Sequence, residues 1–210
     1  MKVNKVEIYA GTNQIDDPKA QVHTAQAFII HPEYHSSALM FNKTNSKYAN
    51  LMVNDIALIR LKEDIQFTKV IRPVKLPRSN YHLNEVAVVT GWGNMGYRKP
   101  MSKFLRATQQ KIISWKSCDR QWQLKYLKYI DKGMMCAITY NHEQASGPYP
   151  GDSGGPFVDR KGYQIGIISF GYECGTTHLL PDVYVNVWEY INRISNGYEI
   201  MRKYNFISSK

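Results

Sequence analysis

Residues 151–156 read Gly-Asp-Ser-Gly-Gly-Pro, a run whose types and order suit the presentation of one hydroxyl. Ser153 is the nucleophile of that run, and a serine hydroxyl stays weak until a base takes its proton. Gly151, Gly154 and Gly155 let the backbone turn sharply and come close to a bound molecule. A turn there can aim the N–H groups of Gly151 and Ser153 at one point. Two such donors make an oxyanion hole, worth about 10²–10³ in rate per donor. Asp152 is then a charge beside the hole, and if buried it needs a cationic partner.

The base is the open question. The chain has six histidines: His23, His31, His35, His82, His142 and His178. His31 and His35 flank Pro32 in "HPEYH", and the proline argues against a helical pair of metal ligands. The other four read as surface or loop side chains. No ligand cluster implies a metal or a cofactor.

Short apolar or alternating runs between turn signals must hold these residues in place. Strands are expected at 5–11, 25–30, 55–61, 85–92, 109–115, 133–138, 155–158, 163–171 and 182–187, which points to an all-β barrel or sandwich. Helices are expected near 116–127 and 187–195. Residues 36–54 read as a long polar loop carrying the sequon Asn42-Lys43-Thr44, and 76–85 as a linker.

Of the 210 residues 43% are hydrophobic, an ordinary globular share, and no apolar run approaches the ~18 residues that span a bilayer. The opening "MKVNKVEIYAGTNQ" has no apolar signal-peptide stretch. Net charge is +10, concentrated in residues 98–132. That basic face reads as solvated surface, since no nucleic-acid motif accompanies it. Three cysteines, Cys118, Cys136 and Cys174, leave at least one without a partner inside the chain.

Together "NDIALIRL" (54–61), "TGWG" (90–93) and "GDSGGP" (151–156) resemble the trypsin/chymotrypsin family of serine endopeptidases. The likeness runs from about residue 3 to 195, and "IRPVKLP" (71–77), "SFG" (169–171) and "DVYVNV" (182–187) agree with it. It implies two antiparallel Greek-key β-barrels, the first truncated, with a short C-terminal helix. Residues 1–80 would be the remainder of the first barrel. Residues 81–187 would be the second, with nucleophile and specificity pocket, and 188–210 the helix and tail. The resemblance makes Ser153 the nucleophile and gives Gly151 and Ser153 the oxyanion hole. Asp55 becomes the carboxylate that orients an imidazole. Ser169 would support Asp55, and Gly171 would pair with an extended substrate.

The resemblance also implies a Cys118–Cys136 disulfide. Cys174 matches half of a pocket-bracing bridge, but Tyr149 stands at its partner position, and Pro150 replaces a polar residue. The pocket base falls at Gly147, with Asp182 on the opposite wall, an arrangement that suits a basic or broad preference for the residue before the cut. A secreted monomer acting on polypeptides is implied, with no nucleic-acid or membrane partner.

Two family features are not found in these residues. The catalytic histidine lies in an Ala-Ala-His-Cys segment, and no such motif occurs here. The family's activated N-terminus pairs with the acid before the serine, here Asp152, and Met1 does not supply it. The expectation is an isolated chain that does not hydrolyse peptide bonds, with an unpartnered Asp152 and an unformed oxyanion loop. The alternative is a non-catalytic homologue that binds a protein partner through its cleft or its basic face. A polyanion-binding module rests on charge alone.

Overall fold

A computed structural model describes residues 6–36, 52–96, 98–126, 130–140, 146–171 and 180–208. Asn42, Cys174, His142 and His178 lie outside the described residues.

The second half of the chain closes on itself. Strands β6 (Val86–Gly91), β7 (Arg106–Ile113), β8 (Met134–Thr139), β9 (Pro156–Val158), β10 (Gln164–Phe170) and β11 (Asp182–Asn186) form a six-stranded barrel in the cyclic order β6-β7-β8-β11-β10-β9. Alternation along the strands fills it. Ala87, Val89, Ile112, Met135, Ala137, Phe157, Ile165, Ile168 and Tyr184 make one buried cluster. Phe157 stacks on Tyr184 with ring centroids 4.4 Å apart. The intervening residues Met134, Cys136 and Val183 belong to a second cluster with Cys118 and Trp122 of helix α1 (Trp115–Tyr126). This explains why β8 reads as a continuous apolar run: both of its faces are covered. Cys118 and Cys136 are disulfide-bonded, with Cα atoms 6.3 Å apart, so the helix is pinned to β8.

The first half is more open. Strands β1 (Glu7–Ala10), β2 (Gln21–Ile30) and β5 (Ala57–Leu61) form a three-stranded antiparallel sheet in the order β1-β2-β5. The stems of the expected 36–54 loop pair as β3 (His35–Ser36) with β4 (Met52–Val53). Nine expected strands are present, with ends shifted by a few residues. Pairing of Gln21–Thr24 with β1 carries β2 back to Gln21, ahead of its expected start.

The C-terminal helix is longer than the sequence suggests. A 3₁₀ turn (Val187–Tyr190) leads into α2 (Ile191–Ser208). No proline stops it, and Ile194, Gly197 and Ile200, at three-residue spacing, line a shallow cleft with Ile56 and Leu58 of the first sheet. Gly197 is what allows this approach, since a Cβ there would lie 2.4 Å from Leu58 Cδ1. Arg60 also donates to the Met201 carbonyl across the same contact.

Candidate active site

The serine turn is built from backbone. Gly151 (φ +101°) and Gly154 (φ +83°) hold left-handed conformations that a side chain resists. Gly154 N–H donates to the Ile168 carbonyl at 2.8 Å, and Ile168 N–H donates to the Gly155 carbonyl at 2.9 Å, which ties the turn to β10. Ser153 lies between, exposed. Among the described residues no hydrogen bond is donated by the N–H groups of Gly151 and Ser153.

Asp152 is not unpartnered. Its Oδ1 accepts from Gly93 N–H at 2.7 Å and its Oδ2 from Tyr149 N–H at 2.9 Å. The sequence-based expectation of a carboxylate without partners overlooked these amides, which come from the loop after β6 and from the segment leading to the serine. The same contacts explain "TGWG". A Cβ on Gly91 would sit 1.9 Å from Asp152 Oδ1, and one on Gly93 2.5 Å from Asp152 Cγ. Both glycines make room for the acid. A cleft of about 320 Å³ lies beside it, lined in part by Gly91, Arg106, Gly147 and Tyr149.

Asp55 comes from the other half of the molecule. It follows Asn54, whose left-handed backbone (φ +53°) turns the chain into β5. The Asn54 side chain donates to the Glu33 carbonyl at 3.0 Å and accepts from the Tyr190 hydroxyl at 2.9 Å. Ser169, at the end of β10, donates its hydroxyl to Asp55 Oδ2 at 2.8 Å. Burial pushes the Asp55 carboxyl above its ordinary pKa, and the Ser169 hydrogen bond opposes this. Ser169 follows Ile168, the residue that anchors the serine turn. One strand end therefore carries both the support of the carboxylate and the anchor of the nucleophile.

A serine on a glycine turn, with a carboxylate held by a second serine across two β-units, is the arrangement that the ordered motifs anticipate. The Trypsin family model matches residues 2–194. The chain belongs to the trypsin family. It is 31% identical over 196 residues to Chymotrypsin-2 of Vespa crabro, covering 92% of this chain and 78% of that protein. It is 36% identical over 152 residues to Trypsin theta of Drosophila erecta, covering 71% of this chain and 55% of that one. Among solved structures, the mouse brain serine protease neuropsin superimposes with a TM-score of 0.76 at 27% identity, over 91% of this chain and 78% of that one.

The pocket residues of this trypsin-family chain also meet. A Cβ on Gly147 would lie 2.7 Å from Asp182 Oδ2, so the acid sits directly against the expected pocket base. Asp182 Oδ2 accepts from Gln110 Nε2 at 2.6 Å. Burial lifts its pKa to about 6, against the pull of the Gln110 amide. Gly171 follows immediately on β10, beside Ser169.

Among the described histidines none hydrogen-bonds Ser153 or Asp55. His23 Nε2 contacts Gln21 Oε1 at 3.3 Å, and His31 Nδ1 accepts from Glu33 N–H at 3.2 Å. His31 also packs edge-on against Tyr190. No group of three or more metal-ligating side chains occurs among the described residues. Sequence reasoning missed Gln110, Asn54 and Tyr190. Only Asn54 carried a signal, since asparagine tolerates the left-handed region.

Proposed function

We propose that this chain carries the nucleophile and its supports for a chymotrypsin-like serine endopeptidase. Ser153 Oγ attacks an amide carbonyl carbon, and its proton passes to an imidazole oriented by Asp55. The oxyanion that forms is held by the N–H groups of Gly151 and Ser153. The carbon–nitrogen bond then breaks as the imidazolium protonates the leaving amine. An ester on Ser153 remains, and water hydrolyses it. The imidazole comes from a segment other than these 210 residues, and an α-amino group pairing with Asp152 completes the site. The observation that carries this reading is the 2.8 Å bond from Ser169 to Asp55, made at the strand end where Ile168 also anchors the turn of the exposed Ser153.

The substrate is a polypeptide, lying extended along Gly171 with the side chain before the cut over Gly147. Asp182 there favours a basic side chain. A Cys118–Cys136 disulfide suits an extracellular site of action. The second reading is a non-catalytic homologue that binds a protein through its basic face, where Lys99, Lys103, Arg106, Lys116 and Arg120 are exposed.

Labelling of Ser153 with a fluorophosphonate probe tests the dependence on an external base. The 210-residue chain alone should label slowly and incompletely. A longer product containing an Ala-Ala-His-Cys segment and a cleaved Ile or Val terminus should label quickly, and cleave peptides. Rapid stoichiometric labelling of the chain alone would overturn the need for an outside imidazole. An inert longer product would favour the binding homologue.

A further inference from the structure

Inside the closed barrel β7 places a fully buried amide, Gln110. A buried amide must satisfy both of its ends. The Tyr184 hydroxyl donates to Gln110 Oε1 at 2.6 Å, and Gln110 Nε2 donates to Asp182 Oδ2 at 2.6 Å. A carboxylate only accepts, so it fixes which end of the amide faces it. The chain Tyr184–Gln110–Asp182 therefore runs in one direction, from the barrel interior to the pocket wall. Gly147 closes it: a Cβ there would lie 2.7 Å from Asp182 Oδ2 and 3.0 Å from Gln110 Nε2. Pocket base, acid and amide are one contact group.

We propose that Gln110 is a positioning residue for substrate selection: from inside the barrel it holds Asp182 by Oδ2, the oxygen that lies against Gly147, and so fixes the carboxylate where a cationic side chain over Gly147 would meet it. This rests on the reading of Asp182 as the pocket acid. A neutral carboxyl would attract no cation, and burial drives Asp182 toward that neutral form. Among the described residues, the ionisable groups on the elements around it are Tyr184 on its own strand, Lys111 on β7, which alternates to the outer face, and Asp152 on the serine turn. Burial is the largest influence on Asp182, and the Gln110 amide is what opposes it. Removing the amide both frees the carboxylate to swing and lets it hold its proton to higher pH.

Calorimetric titration of the 210-residue chain with benzamidinium chloride between pH 5 and 9 tests this. The unaltered chain should bind the cation with an affinity that rises through a midpoint near pH 6, and Asp182→Asn should remove binding. Gln110→Met should weaken binding at pH 7 by about tenfold and move the midpoint up by about one unit. The double variant Gln110→Met/Tyr184→Phe replaces the whole polar chain by apolar groups of similar shape. It should show the same shift, and it serves where the single variant leaves the Tyr184 hydroxyl too costly to bury. A merely structural role for Gln110 would lower stability without moving the midpoint. Unchanged affinity and midpoint in a folded variant would overturn the inference while leaving the pocket reading intact. Failure of the unaltered chain to bind the cation at any pH would overturn both.

Discussion

Asp152 and Asp182, which meet the 147–149 segment at Tyr149 and Gly147, are held under opposite conditions. Asp152 receives two backbone N–H groups, fixed by the fold and unable to move away. Asp182 receives one side-chain amide and is otherwise buried. Its pKa therefore rises from 3.8 toward about 6 in the folded protein. The folded state then binds a proton more readily than the unfolded one. Stability is greatest below pH 3.8 as far as this group is concerned, and is lost as pH rises through about 6. The gap corresponds to a penalty on the order of 3 kcal/mol at neutral pH. Asp182→Asn keeps an acceptor for Gln110 and removes the charge. It should stabilise the chain by up to that amount at pH 8 and leave it unchanged at pH 3.5, read from denaturant midpoints at the two values. A variant less stable at pH 8 would mean that the ionised acid has a partner that burial does not reveal. At this scale the sequence was legible where chemistry is local. Gly151, Asp152 and Ser153 are contiguous, and Asp55 sits in a recognisable run. Gln110 and Tyr190 were not, because their partners lie 72 and 136 positions away.

Elements were legible for a related reason. Two-residue alternation marks the end of β7, while β6 and β10 read as short apolar runs between turn signals, and all three line the barrel core. The end of α2 was not, because nothing in "NGYEIMRKYNF" marks a boundary and the helix is carried by its contact with β5. Helix α1 shows how one element is secured. It has no acidic residue in its first turn, and its apolar content is confined to a few positions. Cys118 and Trp122, one turn apart, face the barrel, with Trp122 Nε1 donating to the Pro181 carbonyl at 3.2 Å. The disulfide encloses a separation of 18 residues, for which restriction of the unfolded chain is worth about 3 kcal/mol. Cys118→Ala/Cys136→Ala should cost about that much in chemical unfolding, with the barrel fold retained in circular dichroism. A loss under ~1 kcal/mol would mean that packing of Trp122 alone secures the helix.

The whole molecule joins a closed barrel to an open sheet. A closed barrel has no edges, whereas β1 and β5 each keep one side free of ladder partners among the described residues. The sheet also leaves Tyr9, Val22, Ile30 and Ile59 between 47% and 59% exposed, large apolar groups that a covered sheet would bury. Three contacts hold the sheet on its far side. Ser169 reaches Asp55, Tyr190 reaches Asn54, and Gly197 lets α2 lie on Leu58. Each of these three contacts falls at or near β5; on the other side only the turn after β1 is tied to the barrel half, with Ile15 N–H donating to the Lys103 carbonyl at 2.9 Å and Leu105 N–H to the Asn13 carbonyl at 2.6 Å, which leaves the Glu7 end of β1 the least held among the described residues. Opening should therefore start at the Glu7 end of β1 and spread through β2, while the barrel remains shut. Amide hydrogen exchange of the 210-residue chain should show β1 exchanging first, β5 later, and the strands β6, β7, β8, β10 and β11 last. The order matters for the proposed catalysis, since Asp55 stands at the entrance to β5 and keeps its place only while that strand stays docked. Protection of β1 equal to that of the barrel strands would contradict this, and would mean that the free edge is paired in solution with a second copy of the chain. Dilution would then separate the two cases, because protection that depends on a second copy falls with concentration and protection intrinsic to the fold does not.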